Sequence, residues 1–237
     1  MPEVQEFNFS AGDLTLAGRL HRPQGRPRCL AIISHGLESS MASSKLTRLA
    51  EVLAKAGHMA YRFDHSGCGI SPGELSATSL TARRGEFLAA VAALRGLEPS
   101  LPLVYMGSSF GGSTALLAGD IEPPVCSLHW STPWDFEPLF NTIANPPERP
   151  PFRELVRDVP RHDLEALLAR TQRALLVHGE RDEVVPASQA ERAFDLLCEP
   201  KEMLILPGAD HRLSDLNDQQ QAMEASLAWI DRFVAPA

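Results

Sequence analysis

A serine placed between two glycines is the feature of this sequence that points most directly to chemistry. Gly107, Ser109 and Gly111 form the pattern G-x-S-x-G. The pattern follows an apolar run at 101–106 and precedes small residues that begin at Gly112, which predicts a turn between a strand and a helix. Glycines on both sides would let the strand and the helix approach closely. Ser109 is therefore a candidate nucleophile near a helix N-terminus, which favours negative charge.

A serine hydroxyl is a weak nucleophile, so it needs a base and a carboxylate that orients the base. His211 lies in a loop after the last predicted strand, and Asp182 lies just past the strand predicted at 174–177. In a parallel sheet both loops reach the carboxyl edge, where ligands bind. The chain order Ser109, Asp182, His211 predicts a catalytic triad. Three nearby carboxylates compete with Asp182 for its role, namely Glu180, Glu183 and Asp210.

The loop His35-Gly36-Leu37 follows the strand predicted at 29–34 and is the candidate oxyanion hole. We expect the backbone N–H groups of Leu37 and Phe110 to donate to the oxyanion. Because only their amides act, the side chains of these two residues are free to shape the pocket. His35 is predicted to hold the loop by hydrogen bonds rather than to transfer protons, and it is also a candidate substrate contact.

Short apolar runs alternate with stretches of helical periodicity along the chain. The predicted strands are 29–34, 59–63, 101–106, 125–130, 174–177 and 203–206. The predicted helices are 45–56, 80–97, 112–118, 164–171, 188–197 and 216–234. An antiparallel hairpin between Phe7 and Leu20 precedes them. This alternation predicts an α/β fold with a largely parallel sheet and helices on both faces.

The segment 133–160 interrupts this alternation with many prolines and several aromatic residues. Apolar side chains on an irregular excursion predict a short lid insertion. The candidate substrate contacts in it are Trp134, Phe136, Phe140 and Phe152. The alternative is an ordinary surface loop whose aromatic residues anchor it to the body of the protein.

The composition narrows the possible classes of protein. With 237 residues, 44% of them hydrophobic, the chain can form a single domain, 1–237. A net charge of −8 argues against binding to nucleic acid or to anionic membrane surfaces. The four cysteines show no C-x-x-C spacing, so neither a disulfide framework nor a metal site is expected. Because no secretory signal or membrane-length apolar run is evident, we expect a cytoplasmic protein.

Five motifs occur in order along the chain: H-G-L at His35, R-F-D-x-x-G-x-G-x-S at 62–71, G-x-S-x-G-G at 107–112, H-G-x-x-D-x-x-V-P at 178–186, and D-H at Asp210. With these motifs the chain resembles the α/β-hydrolase superfamily. Within it, the chain is similar to small lidded serine esterases of the feruloyl and cinnamoyl esterase type, which border on serine aminopeptidase-like hydrolases. The resemblance implies an eight-stranded, mostly parallel sheet and ester hydrolysis through an acyl-enzyme, without metal or cofactor.

The leading functional prediction is a carboxylesterase for small or medium acyl or aryl esters, with a small-molecule ester as its partner. An acyl-peptidase or aminopeptidase, a thioesterase and an acyltransferase could all use the same triad. An interaction protein without activity is a further alternative. It is disfavoured because such a protein has no need for Ser109, Asp182 and His211 together with the loop at His35. The sequence predicts no oligomeric state.

Overall fold

A central sheet organises the computed structural model, which describes residues 2–140 and 152–235. The strands in these residues are β1 (Glu3–Glu6), β2 (Phe9–Ala11), β3 (Leu14–Leu16), β4 (Gly18–Arg22), β5 (Leu30–Ser34), β6 (Met59–Phe63), β7 (Leu103–Ser108), β8 (Cys126–Trp130), β9 (Ala174–Gly179) and β10 (Lys201–Leu206). Eight of them form the described sheet, in the order β1-β4-β6-β5-β7-β8-β9-β10. The β1–β4 and β4–β6 pairs are antiparallel and the remaining pairs are parallel, as the sequence predicted.

The N-terminal region contains the predicted antiparallel hairpin, as β2 and β3, and adds two strands to the main sheet that the sequence did not predict. Strand β1 pairs with β4 at one edge of the main sheet, whereas β2 and β3 form a separate two-stranded ribbon. Gly12, at φ 58°, makes the tight turn between β2 and β3. Phe9 and Leu16 are buried in the ribbon and pack with Tyr61 in one apolar cluster. The ribbon therefore covers apolar surface at the antiparallel end of the sheet.

Helices cover both faces of the sheet, which confirms the predicted layering. The described α-helices are α1 (Ser44–Lys55), α2 (Leu80–Leu97), α3 (Phe110–Gly119), α4 (Arg153–Asp158), α5 (Leu164–Leu168), α6 (Ala187–Leu196) and α7 (Leu216–Asp231). Strand β5 shows why two covers are needed. Ala31 and Ile33 pack in one cluster with residues of α1 and α7, while Leu30 and Ile32 pack in another with residues of α2 and α3. A strand that is apolar on both faces is typical of a buried parallel sheet.

Part of the predicted lid lies outside the described residues, namely 141–151. On its N-terminal side, a 3₁₀ turn spans Glu137–Leu139, and on its C-terminal side α4 begins at Arg153. Asp158 at the end of α4 accepts hydrogen bonds from Thr81 N and Thr81 Oγ1 at 2.8 and 2.7 Å. These bonds attach α4 to the first turn of α2.

The helices in the described ranges show no membrane-spanning segment. None of them combines the length and the apolar composition that crossing a bilayer requires.

His129 on β8 makes the stability of this fold depend on pH. Its ring nitrogens lie 3.2 Å from Gly112 O and 2.9 Å from Ser127 Oγ, and burial lowers the pKa of His129 to about 4. The unfolded chain binds a proton at this residue near pH 6.5, but the folded chain does so only near the lowered value. The free energy of unfolding is therefore expected to fall as the pH drops from about 6.5 towards 4.

Urea unfolding at pH 7 and pH 4.5 would measure this loss. The His129→Gln variant lacks the titrating group, so the difference between its two unfolding free energies should be smaller than in the wild type. An equal pH dependence in both proteins would contradict the assignment.

Candidate active site

The turn between β7 and α3 holds Ser109 in an unusual backbone conformation. Strand β7 ends at Ser108, α3 begins at Phe110, and Ser109 between them has φ 55° and ψ −130°. Few residues other than glycine adopt a positive φ, and they do so where the surroundings enforce it. Here Ser109 N donates a 2.7 Å hydrogen bond to Trp130 O at the end of the neighbouring strand β8.

The two glycines of the G-x-S-x-G pattern are required by close backbone contacts. A Cβ atom on Gly107 would lie 2.1 Å from Gly111 O, and one on Gly111 would lie 2.2 Å from Ser34 O. Both distances are far shorter than a carbon–oxygen contact allows. The first glycine lets α3 turn back over β7, and the second lets α3 pack against the end of β5.

Three side chains that are far apart in the sequence meet beside this turn. Ser109 Oγ lies 3.0 Å from His211 Nε2, and His211 Nδ1 lies 2.8 and 2.9 Å from the two carboxylate oxygens of Asp182. The Asp182 side chain is fully buried, while 13% of the His211 side chain is exposed. The structure thus brings together the serine, histidine and aspartate that the sequence singled out.

Asp182 is surrounded by hydrogen-bond donors. Its Oδ1 accepts from Val184 N and Val185 N at 2.9 and 2.7 Å, and its Oδ2 lies 3.2 Å from His178 Nε2. Burial alone would raise the pKa of Asp182, but the hydrogen bonds from His178, His211 and Val185 N hold it well below its usual range. Since the ionised carboxylate only accepts, His211 Nδ1 donates to it, which leaves Nε2 free to accept from Ser109 Oγ.

His178 is a site residue that the sequence analysis did not pair with any partner. Its Nε2 also donates to Val185 O at 2.8 Å, so it bridges both ends of the loop that carries Asp182. The signal that could have identified it is its position four residues before Asp182 in the H-G-x-x-D motif.

The competing carboxylates have other partners. Glu180 accepts from Gly208 N at 2.8 Å, and Glu183 accepts from the backbone N of His211 at 3.1 Å. Asp210 accepts from Ser214 N and Ser214 Oγ. These contacts shape the loops around His211 and leave its ring to Asp182.

The loop after β5 lies directly beside Ser109. A Cβ atom on Gly36 would be 3.3 Å from Ser109 Cβ and 3.7 Å from Ser109 Oγ. Leu37 and Phe110 both line the cavity above the serine. Within the described residues, neither of their backbone N–H groups has a hydrogen-bond acceptor. Two free donors near the nucleophile are the arrangement that a developing oxyanion requires.

His35 holds this loop from behind and does not line the cavity. It is fully buried, its Nε2 accepts from His65 N at 3.1 Å, and its Nδ1 lies 2.7 Å from Gly36 O. The loop-holding role agrees with the sequence analysis. The expected substrate contact is not seen, because the ring is fully buried and packs against the ring of His65.

The cavity above Ser109 has a volume of about 800 Å³ and two kinds of wall. Its apolar lining residues include Leu37, Phe110, Phe136, Leu139, Leu155, Val184 and Val185. Its polar lining residues include Ser39, Ser43, Lys45, Glu183, Arg212 and Ser214. Of the four aromatic residues proposed as substrate contacts, Phe136 lines this cavity. Trp134 and Phe140 line a smaller cavity of about 380 Å³ nearby. Phe152 is buried in an apolar cluster that also contains Phe110 and Phe136.

No group of three or more histidine, cysteine, aspartate or glutamate side chains in residues 2–140 and 152–235 is arranged to hold a metal ion.

Two family models match different halves of the chain. The serine aminopeptidase (S33) family matches residues 25–134, and the prolyl oligopeptidase family matches residues 130–236. The first match contains Ser109 and the loop at Gly36, and the second contains Asp182 and His211.

Individual relatives match the chain across both of these regions. Human monoglyceride lipase is 26% identical over 230 residues, which cover 87% of this chain and 73% of the lipase. A Mycobacterium tuberculosis protein named for phosphoribosyl transfer is 27% identical over 240 residues, which cover 98% of this chain. The chain spans 47% of that relative, or about half its length. The structure of Est1E from Butyrivibrio proteoclasticus with ferulic acid bound has a TM-score of 0.80 at 20% identity, covers 94% of this chain and 99% of that one, and shares its fold.

Replacing the first glycine of the turn should damage the site, whereas replacing a glycine in α2 should not. Gly107→Ala places a methyl group against Gly111 O and is expected to destabilise the protein by about 3 kcal/mol or more. Gly85→Ala is the matched control, because a Cβ there meets nothing within 4 Å. It should stabilise α2 by about 0.5–1 kcal/mol. Urea unfolding of the two variants would measure both effects, and equal free energies would contradict the packing argument.

Proposed function

Because the chain belongs to the α/β-hydrolase superfamily, we propose that it is a serine carboxylesterase acting through an acyl-enzyme. The observation that supports this most is the continuous set of hydrogen bonds from Ser109 Oγ through His211 to Asp182. In this arrangement His211 can take the proton from the Ser109 hydroxyl as the oxygen attacks, so the hydroxyl acts as a nucleophile near neutral pH.

In the first half of the reaction Ser109 Oγ attacks the ester carbonyl carbon, and its proton passes to His211 Nε2. The carbonyl oxygen becomes an oxyanion and accepts hydrogen bonds from Leu37 N and Phe110 N. Asp182 stabilises the positively charged imidazole. When the tetrahedral intermediate collapses, the bond to the alcohol oxygen breaks, and His211 returns the proton to that oxygen.

In the second half, water replaces the alcohol. His211 Nε2 takes a proton from the water as its oxygen attacks the acyl carbon, and the same amide donors hold the second oxyanion. Collapse breaks the bond to Ser109 Oγ, which regains its proton from His211. A carboxylic acid leaves and the site returns to its starting state.

The cavity supports small or medium acyl and aryl esters as the substrate class. The lining combines apolar residues, among them Phe136, Leu139 and Leu155, with polar ones, which suits an ester with one apolar and one hydrogen-bonding end. These three residues come from 133–140 and 152–160, so we further propose that the described parts of the segment 133–160 belong to a short lid on a single domain, 1–237. The lipase name of the human relative and the ferulic acid on Est1E are compatible with such esters.

Ser109→Ala should abolish ester hydrolysis without unfolding the protein, because it removes only the attacking oxygen. A panel of p-nitrophenyl esters, a thioester, an anilide and a hydroxycinnamate ester would test the wild type and the variant side by side. A fluorophosphonate should label Ser109 alone. Ser10→Ala, a substitution at an exposed serine on β2, is the control that keeps both labelling and turnover.

The panel also separates the proposed activity from its rivals. Preference for the anilide would favour a peptidase, and preference for the thioester would favour a thioesterase. Labelling of another serine, or full activity in Ser109→Ala, would contradict the proposed nucleophile.

Asp182→Asn should lower kcat by roughly 10⁴-fold, because an amide favours the wrong histidine tautomer and cannot stabilise imidazolium. The matched control is Glu180→Gln, since Glu180 contacts Gly208 N and not the His211 ring. Steady-state kinetics with one p-nitrophenyl ester would compare the two variants. Near-normal turnover in Asp182→Asn would show that another acid orients His211.

A further inference from the structure

Arg83 on helix α2 is a fully buried cation next to the loop that carries Leu37. Every N–H group of its guanidinium has an acceptor. Nε donates to Thr78 Oγ1 at 3.0 Å. Nη1 donates to His35 O and Gly36 O at 3.3 and 3.1 Å. Nη2 donates to Leu37 O and Cys68 Sγ at 2.8 and 3.3 Å. Three consecutive backbone carbonyls of the loop thus converge on one side chain.

Within residues 2–140 and 152–235, this guanidinium has no direct counter-ion, since no carboxylate lies within 4.0 Å of it. Burial lowers the pKa of Arg83, although the group stays charged. A buried charge is expensive unless its hydrogen bonds are complete, and a neutral side chain would fill the same space at lower cost. The site therefore uses the charge itself for something besides packing.

Peptide geometry connects Arg83 to the nucleophile. The peptide unit between Gly36 and Leu37 is planar and trans, so its C=O and N–H point in opposite directions. Gly36 O accepts from Arg83 Nη1 at 3.1 Å and from His35 Nδ1 at 2.7 Å. Fixing this oxygen therefore also fixes the opposite direction of Leu37 N–H, in a loop whose Gly36 lies beside Ser109.

The proton on His35 is assigned by its other partner. Because His35 Nε2 accepts from His65 N and burial keeps the pKa of His35 well below its usual value, the neutral ring carries its proton on Nδ1. Both donors to Gly36 O therefore act together. A carbonyl that accepts from a cation is polarised, and this strengthens the N–H at the other end of the same peptide as a donor.

The same guanidinium also contacts the second proposed oxyanion donor. The Arg83 Cζ atom lies 4.9 Å from the centroid of the Phe110 ring, a cation–π contact. Phe110 supplies the other free N–H at the start of α3. One side chain thus touches both elements whose amides must be held at a fixed separation.

We propose that Arg83 is a positioning residue of the oxyanion hole: it orients and polarises the Leu37 amide through Gly36 O and holds Phe110 in place through its ring. This role depends on the proposed esterase function. It predicts that loss of Arg83 weakens the enzyme's interaction with the tetrahedral intermediate much more than with the substrate.

The test compares Arg83→Met with the wild type on p-nitrophenyl butyrate. We expect kcat to fall by about 10- to 100-fold, less than the loss of a whole donor, with KM changed less than about threefold. Two inhibitors separate binding of the oxyanion from binding of the rest of the substrate. A trifluoromethyl ketone adds to Ser109 as a tetrahedral adduct, and the matching methyl ketone binds without adding. In Arg83→Met, the affinity for the trifluoromethyl ketone should fall in parallel with kcat, and the affinity for the methyl ketone should not.

Arg62→Met is the matched control for removing a buried arginine. Arg62 donates to Met41 O and to His21 Nε2, and none of these three residues lines the cavity above Ser109. The Arg62→Met variant should be less stable than the wild type, but its kcat and both inhibitor affinities should stay within about twofold of the wild-type values.

If Arg83→Met does not fold, Arg83→Lys and Thr78→Val replace it. Lysine keeps the charge with fewer donors, and valine removes only the acceptor of Nε, so both should lower kcat and trifluoromethyl ketone affinity by smaller, parallel factors.

The outcomes are distinguishable. A wild type that neither hydrolyses the ester nor reacts with a fluorophosphonate overturns the proposed function, and the role of Arg83 with it. An active wild type whose Arg83 variants keep kcat and trifluoromethyl ketone affinity within twofold overturns the role of Arg83 alone. A loss of affinity for both ketones alike also overturns it, because that pattern indicates damage to the whole cavity.

Discussion

The backbone conformation of Ser109 is the constraint on which the rest of the site depends. A non-glycine residue at a positive φ costs on the order of 1–3 kcal/mol, and it persists only when its surroundings fix it. Here β7 and α3 contact each other through Gly107 and Gly111, and Ser109 N donates to Trp130 O. The strain points Oγ away from the strand and towards His211. Among the residues that the structure describes, it also leaves Phe110 N without an acceptor at the start of α3.

Two buried charges flank this turn, and each is stabilised in a different way. Asp182 is an anion enclosed by donors from Val184, Val185 and His178. Arg83 is a cation enclosed by carbonyls of the loop beside Ser109. In the proposed reaction, positive charge develops on His211 and negative charge on the carbonyl oxygen. Fixed charges in these two positions would favour both changes without any rearrangement of solvent.

Features encoded in local patterns could be predicted from the sequence. Apolar runs predicted the strands of the parallel region, and the G-x-S-x-G motif predicted the turn at Ser109. Long-range contacts left no such signal. Arg83 lies in an ordinary helical stretch, and three of its acceptors are backbone carbonyls more than 40 residues away, a contact that has no sequence signature. The hairpin of β2 and β3 was predicted, but the pairing of β1 with β4 in the main sheet was missed, because alternation alone does not say which strands pair.

The aromatic residues of 133–160 show where composition is a weaker guide than packing. Trp134 packs edge-to-face on His129, and Phe136 packs edge-to-face on Phe110, at ring separations of 5.1 and 5.7 Å. Phe136 thereby joins the lining of the cavity to the proposed oxyanion donor, while Phe152 is almost fully buried. An apolar side chain on an insertion gains most by covering other apolar surface. Trp134 and Phe152 therefore pack behind the cavity, while Phe136 lines it together with aliphatic residues such as Leu139 and Leu155.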